Sequence, residues 1–176
     1  DPGVGVFGLM DHGSNNGRGV LPAPPTAWTR IMKGWASAQD INIDDSLNIE
    51  TGILAGQFHD IHKIDISNNE YFLVENRNNW VIVDKSIDRL RFENQISNYR
   101  LGHWFDTVAE WMTDDQIIIS EDTGVIIGFD HYDYGLPGSG LLIWHITEPS
   151  PDNYMSGINN DREHRAVHLE EADGAV

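Results

Sequence analysis

The sequence contains no cysteine. That excludes disulfides, thiolate zinc sites and cysteine nucleophiles together, while leaving the redox compartment open. No apolar run approaches the ~20 residues needed to cross a bilayer, so no membrane span is expected. There is no starting Met and no basic-then-apolar leader. The chain opens Asp1-Pro2-Gly3, as expected of a cut precursor or of a fragment. Basic residues are also scarce. Lys and Arg number 11 against 28 Asp and Glu, a formal charge of -17. Nucleic-acid partners are excluded, because phosphate binding needs a basic surplus. Anionic membrane surfaces are disfavoured on the same ground. The acidic surplus suits solubility, attraction of cations, or a salty or calcium-rich milieu.

What is present is a globular composition. Of the 176 residues, 40% are hydrophobic and 22% charged, enough apolar side chain for one sizeable core or two small ones. Residues 1–23 are rich in Gly, Pro and Asn and read as turns and an ordered loop. Trp28, Ile31, Met32 and Trp35 then recur at helical spacing, with Thr26 placed to cap, which predicts a short helix over 27–36. From Asp40 the period changes to two: Ile41, Ile43, Leu47, Ile49 and Ile53 predict extended chain, with a turn at Asp44-Asp45-Ser46. Further strands are predicted at Tyr71–Glu75, Val81–Val83, Gln116–Ser120, Val125–Phe129, Gly140–Ile146 and Ala166–Glu170. Trp104, Val108 and Trp111 suit one helical face. Short strands with short turns favour antiparallel pairing. The expected fold is mainly β, an antiparallel sheet or sandwich-like arrangement with one or two short helices. Leu141, Ile143 and His145 should face one side of their strand and Leu142, Trp144 and Ile146 the other, which predicts a central strand covered on both faces.

No motif for hydrolysis is complete. His-Glu-x-x-His is absent, so the helical i, i+4 pair that zinc hydrolases use is missing. His59 and His62 could share a metal on a helix and would diverge on a strand. His164 and His168, if on a strand, stand ~13 Å apart. Asp40–Thr51 fails as a calcium loop, with Asp45 where Gly is needed and Thr51 where Glu is needed. No Gly-x-Ser-x-Gly elbow occurs. Asp122-Thr123-Gly124 could serve an aspartic dyad only across two chains, and its flanking strands make it a hairpin turn. Glu170, Glu171 and Asp173 set three carboxylates within four positions. Such a group either binds calcium or forms an exposed acidic turn.

Three stretches resemble the immune inhibitor A family of secreted metallopeptidases. The first is Val6-Phe7-Gly8-Leu9-Met10-Asp11-His12-Gly13-Ser14, followed by Pro25-Thr26-Ala27-Trp28 and Gly34-Trp35. The second is Tyr71-Phe72-Leu73-Val74-Glu75-Asn76-Arg77. The third is Leu136-Pro137-Gly138-Ser139-Gly140-Leu141-Leu142-Ile143-Trp144-His145-Ile146, with Val167-His168-Leu169-Glu170-Glu171-Ala172-Asp173-Gly174 after it. The resemblance implies a methionine turn at Met10, flooring a zinc site without ligating the metal. It implies that Asp11, His12, Gly13 and Ser14 border the substrate cleft. Residues 1–36 would close a catalytic domain and residues 37–176 would form a β-rich module packed on it. Zinc would belong to the parent protein and not be held by this chain, since no zinc triad precedes Phe7; calcium at Glu170, Glu171 and Asp173 is the separate possibility raised by their clustered carboxylates. The expected function is that of a non-catalytic C-terminal portion of a secreted, extracellular zinc endopeptidase, partnered by an upstream catalytic segment or a protein substrate. The alternative is a processed extracellular module that self-associates or binds a partner.

Overall fold

The computed structural model describes residues 4–42, 44, 46–50, 53–54, 57–58, 61–82, 84–94, 111–148, 157–161 and 163–170. The chain is mainly β, with antiparallel sheets and short helices. The strands are β1 (Ala38–Asp40), β2 (Ile53–Leu54), β3 (Gln57–Phe58), β4 (Ile61–Asp65), β5 (Glu70–Arg77), β6 (Trp80–Ile82), β7 (Lys85–Ser86), β8 (Ile117–Ile119), β9 (Ile126–Phe129), β10 (Gly140–Thr147) and β11 (Val167–Leu169). The α-helices are α1 (Ala27–Met32) and α2 (Ile87–Glu93). The main sheet has the order β1-β4-β5-β10-β11, antiparallel throughout except for the parallel β1–β4 pair.

Strand alternation divides this sheet into two unlike faces. Leu142, Trp144 and Ile146 of β10 point into a core with Leu73, Ile61 and Val167. That core is closed by Val4, Ala27 and Trp28 from the N-terminal segment. Residues on both sides of position 36 therefore share one apolar cluster. A second cluster gathers Leu21, Val81, Ile87, Leu90, Met112, Ile117 and Tyr134. On the opposite face of β10, Leu141 is 58% exposed and Ile143 38% exposed. The strand is central and alternates as expected, but its second face is open at Leu141 and Ile143, while Val74 and His62 on the same face of the sheet are buried. The expectation of cover on both faces fails because side-chain type alone does not say whether an apolar face has a partner.

The helix expected over 27–36 stops at Met32. Gly34 takes φ +71, and the amides of Gly34 and Trp35 turn back to the carbonyls of Ile31 and Arg30 at 2.9 Å each. This closes the helix as a Schellman motif. Thr26 caps it as expected, its Oγ1 accepting from the Thr29 amide at 3.2 Å. Trp35 is left exposed, and the buried face carries Arg30 beside Trp28. Two further expectations change. Residues 12–19, read as irregular, form a 3-10 helix. The extended run expected from Ile41 ends with β1 at Asp40, and Leu47 is exposed; Ile43 and Asp45 lie outside the described residues, as do Trp104 and Val108.

The sheet is pinned by buried charge. Glu75 and Arg77, two apart on β5, share the core face. The Arg30 guanidinium bonds Glu75 Oε2. Arg77 Nη1 donates to Glu75 Oε1 at 2.9 Å, and its Nε and Nη2 reach the Asp133 carboxylate at 2.9 and 2.7 Å. Trp144 Nε1 also donates to Glu75 Oε1 at 2.9 Å. All four charged side chains are at most 2% exposed. Burial alone would push the Glu75 carboxyl up; the Arg77 and Arg30 guanidiniums, with hydrogen bonds from Arg30 and Trp144, outweigh it and hold the group below its ordinary range.

Removing one member leaves an uncompensated buried charge, which costs about 3–5 kcal/mol. Arg30→Ala should lower unfolding stability in urea by that order. Lys63→Ala, at a pair with Asp65 that is 30% and 60% exposed, should cost below about 1 kcal/mol. Equal losses from the two variants would refute the ranking. Acid supplies a second check. Because the folded pKa of Glu75 is depressed from 4.5, its contribution is present above that pH and is lost as pH falls through the lower folded value. The Tm of the parent chain should therefore drop more steeply below that pH than the Tm of Glu75→Gln. Parallel profiles would contradict this.

Candidate functional site

The glycine-rich N-terminal loop is built by close backbone approach. A Cβ on Gly13 would lie 2.6 Å from the Gly8 carbonyl oxygen and 2.8 Å from that of Val6. The Gly13 carbonyl accepts from the Ala23 amide at 2.9 Å, the Leu9 amide reaches the Pro24 carbonyl at 3.2 Å, and Asn16 Nδ2 donates to the Val6 carbonyl at 2.8 Å. Asp11 caps the 3-10 helix, its Oδ1 accepting from the His12 amide at 2.7 Å. Its Oδ2 is buried without a hydrogen-bond partner. Met10 is 85% exposed. Met10 and Asp11 border a cavity of about 400 Å3 whose walls include Thr26, Trp28, Ile158 and Val167. His12, Gly13 and Ser14 do not line this cavity; Gly13 is buried, and His12 and Ser14 are exposed.

A second constellation lies on the open face of the main sheet. His145 of β10 stands directly opposite His168 of β11, with ring centroids 4.8 Å apart. Glu170 follows His168 by two residues, so it shares that face. Glu170 Oε1 lies 3.0 Å from His145 Nδ1 and 3.2 Å from His168 Nε2. From the other side, Glu70 Oε1 lies 2.8 Å from His145 Nε2. Phe72, opposite His145 on β5, packs its ring 4.9 Å from the imidazole. Burial pushes the His168 pKa down, and the neighbouring His145 adds to the shift against the pull of Glu170.

Chain-wise spacing separated these residues. Along the chain the partner considered for His168 is His164, set too far away for one ion, and His164 is indeed solvated, 83% exposed and 3.2 Å from Asp161. The missed partners, His145 and Glu70, come from other strands. The usable signal was a mid-strand His at an odd position of the predicted strand ending at Ile146 and another alternating with Val167 and Leu169. Of the expected calcium ligands, Glu170 is in this cluster, and Glu171 and Asp173 lie outside the described residues. His62 is buried in β4, and His59 lies outside the described residues. Asp122-Thr123-Gly124 turns between β8 and β9, closed by the Ser120 and Gly124 amides at 2.8 Å each. That is the hairpin expected of it. No helix among the described residues is long and apolar enough to cross a membrane.

Comparison with family models, curated proteins and solved structures finds no match to this chain. The functional reading therefore rests on the residues and their geometry.

The loop geometry generates a direct check. Gly13→Ala forces a methyl against two carbonyl oxygens, and overpacking of this kind costs typically about 1–3 kcal/mol. Amide exchange at Leu9 and Ala23 should accelerate in this variant while the β5–β10 ladder keeps its protection. Unchanged exchange at both amides would show that the loop accommodates the methyl.

Proposed function

We propose that this chain is the non-catalytic C-terminal portion of a secreted, extracellular zinc endopeptidase of immune inhibitor A type. On this reading a segment preceding it supplies the metal, the zinc-activated water and the Glu base that cleave a peptide bond. The 176 residues themselves contain no His-Glu-x-x-His.

The observation that carries the reading is that the three stretches of resemblance meet in space. Trp28, Leu73 and Trp144, one from each, share a single apolar core. Arg30, between Trp28 and Gly34 of the first stretch, bonds Glu75 of the second, which accepts from Trp144 of the third. Motifs that are separate in sequence thus form one packed unit, which is what selection on a common scaffold would produce. The Gly-Leu-Met turn sits on that unit beside the cavity at Met10 and Asp11; on this reading an upstream catalytic segment would form the other wall of a cleft there, with a protein substrate between them.

A self-associating extracellular module is the second reading. It is favoured by the β8–β9 hairpin, where Ile118, Val125 and Ile127 are at least half exposed. Large exposed apolar patches mark interaction surfaces.

Assays on the purified chain separate the readings. No casein hydrolysis is expected, with or without added zinc, because on this reading the His-Glu-x-x-His metal site and its general-base Glu belong to the preceding segment. Turnover that survives repurification and is abolished by one substitution in this chain would overturn the proposal. So would a genomic reading frame preceding Asp1 without a His-Glu-x-x-His. A concentration-dependent increase in sedimentation coefficient, lost on Ile127→Lys, would favour the module instead.

A further inference from the structure

The geometry points to a binding site for a divalent transition-metal ion of the zinc class at His145, His168 and Glu170, with Glu70 as a positioning residue. This site is independent of the proposed function. The zinc of the family resemblance would be held by residues preceding Phe7, whereas this group lies on the far face of the main sheet from the core.

The charge pattern around His145 is the first reason. Both its ring nitrogens face carboxylates, Nε2 towards Glu70 at 2.8 Å and Nδ1 towards Glu170 at 3.0 Å. A neutral imidazole has one N–H and one lone pair. If Nε2–H donates to Glu70, the Nδ1 lone pair points at an anionic oxygen, which is repulsive unless a cation lies between them. His168 Nε2 converges on the same oxygen at 3.2 Å. A divalent ion held by His145 Nδ1, His168 Nε2 and Glu170 would satisfy these three converging groups at once, with Nε2–H of His145 donating to Glu70.

Distance is the second reason. One ligand atom from each of His145, His168 and Glu170 can be chosen so that all lie within 4.8 Å of one another. Tetrahedral coordination at ~2.0–2.1 Å places ligand atoms ~3.3 Å apart, close to the 3.0 and 3.2 Å from Glu170 to the two imidazoles; the imidazole nitrogens lie within 4.8 Å of each other. The Glu70–His145 bond is the carboxylate–imidazole arrangement that fixes the tautomer of a metal-ligating histidine. Two His and one Glu form a three-ligand set with room for water, and exposures of 21%, 28% and 41% leave that position open to solvent. Backbone rigidity comes from the strands: His145 and His168 are ladder partners, and the Glu170 amide bonds the Ile143 carbonyl at 2.8 Å.

Ligand chemistry decides the class of ion. Calcium takes six to eight oxygens and has little use for imidazole, whereas imidazole with one carboxylate suits zinc, cobalt, nickel and copper. The expectation that this chain holds no zinc was drawn from spacing along the chain, and pairing across two strands lies outside that criterion.

The test is titration of the chelator-stripped 176-residue chain with Zn2+ by calorimetry and with Co2+ by visible absorption. One equivalent should bind, with ligand-field bands of low-coordinate Co2+, and millimolar Ca2+ should not displace it. His145→Ala and His168→Ala should each weaken Zn2+ binding at least tenfold, Glu70→Gln should weaken it about 10–100-fold, and His164→Ala should leave it unchanged. If a ligand variant fails to fold, the parent chain still decides. Substoichiometric Co2+ should perturb the imidazole resonances of His145 and His168 before those of the other histidines. No stoichiometric binding, binding that persists in the His145→Ala/His168→Ala double variant, or equal loss in His164→Ala would overturn the proposal.

Discussion

The buried quartet of Arg30, Glu75, Arg77 and Asp133 is the constraint on which the rest of the molecule depends. Two cations and two anions are withdrawn from water together, and no member is tolerable without its partners. They come from three places: Arg30 from α1, Glu75 and Arg77 from β5, Asp133 from the 3-10 turn before β10. Satisfying the charges therefore fixes where α1 sits on the sheet and how β10 is approached. Trp144, fully buried, locks the arrangement by donating to Glu75. Tyr134, next to Asp133, packs into the second apolar cluster, so the same network links both cores. A set of well-packed apolar side chains could match its stability. What such a set would lack is directionality, since bonds from Arg77 to both Glu75 and Asp133 admit few alternative registers.

The open face of the sheet follows from the same alternation. With Glu75, Arg77 and Trp144 committed to the core, the intervening residues Val74, Ile143 and His145 are turned the other way. The neighbouring strands bring Glu70, His168 and Glu170 to that face in ladder register. Polar chemistry there is built on paired strands, which hold ligands more precisely than loops do. Burial of one face and exposure of a charge-bearing group on the other are two consequences of one period-two pattern.

Much of this was legible in the residues. Strands β5, β8, β9, β10 and β11 each carry apolar and β-branched runs between turn signals, and each appears where that pattern put it. Thr26 reads as a cap because its hydroxyl can accept from an amide three residues on, and it does. The failures share a cause, which is that the deciding partner is remote in sequence. Arg30 reads as a surface residue until Glu75 is beside it. Trp35 continues a helical stripe, but Gly34 ends the helix first. The α2 helix was missed because only Ile87 and Leu90 are buried on it, too few to register a period; its Ser86 cap and the Arg89–Glu93 pair carry the rest. His145 and His168 belong together only once two strands are paired in a particular register, and no spacing along the chain encodes that.

The sheet edges bear on how the molecule meets other proteins. Exposed strand edges invite pairing with another chain unless they are short or covered. Both edge strands here, β1 and β11, are three residues long. On β11 the Asn159 side chain takes up both backbone groups of Val167, accepting from its amide at 3.0 Å and donating to its carbonyl. Edge-to-edge extension of the main sheet is therefore opposed at its outer strand. Among the described residues, side-chain surfaces remain for association: the apolar hairpin of β8 and β9, and the cavity wall at Met10 and Asp11. The second of these belongs to the segment that Arg30 holds against the sheet. A partner docking there would meet a surface already rigid, and would lose little conformational entropy on this side of the contact.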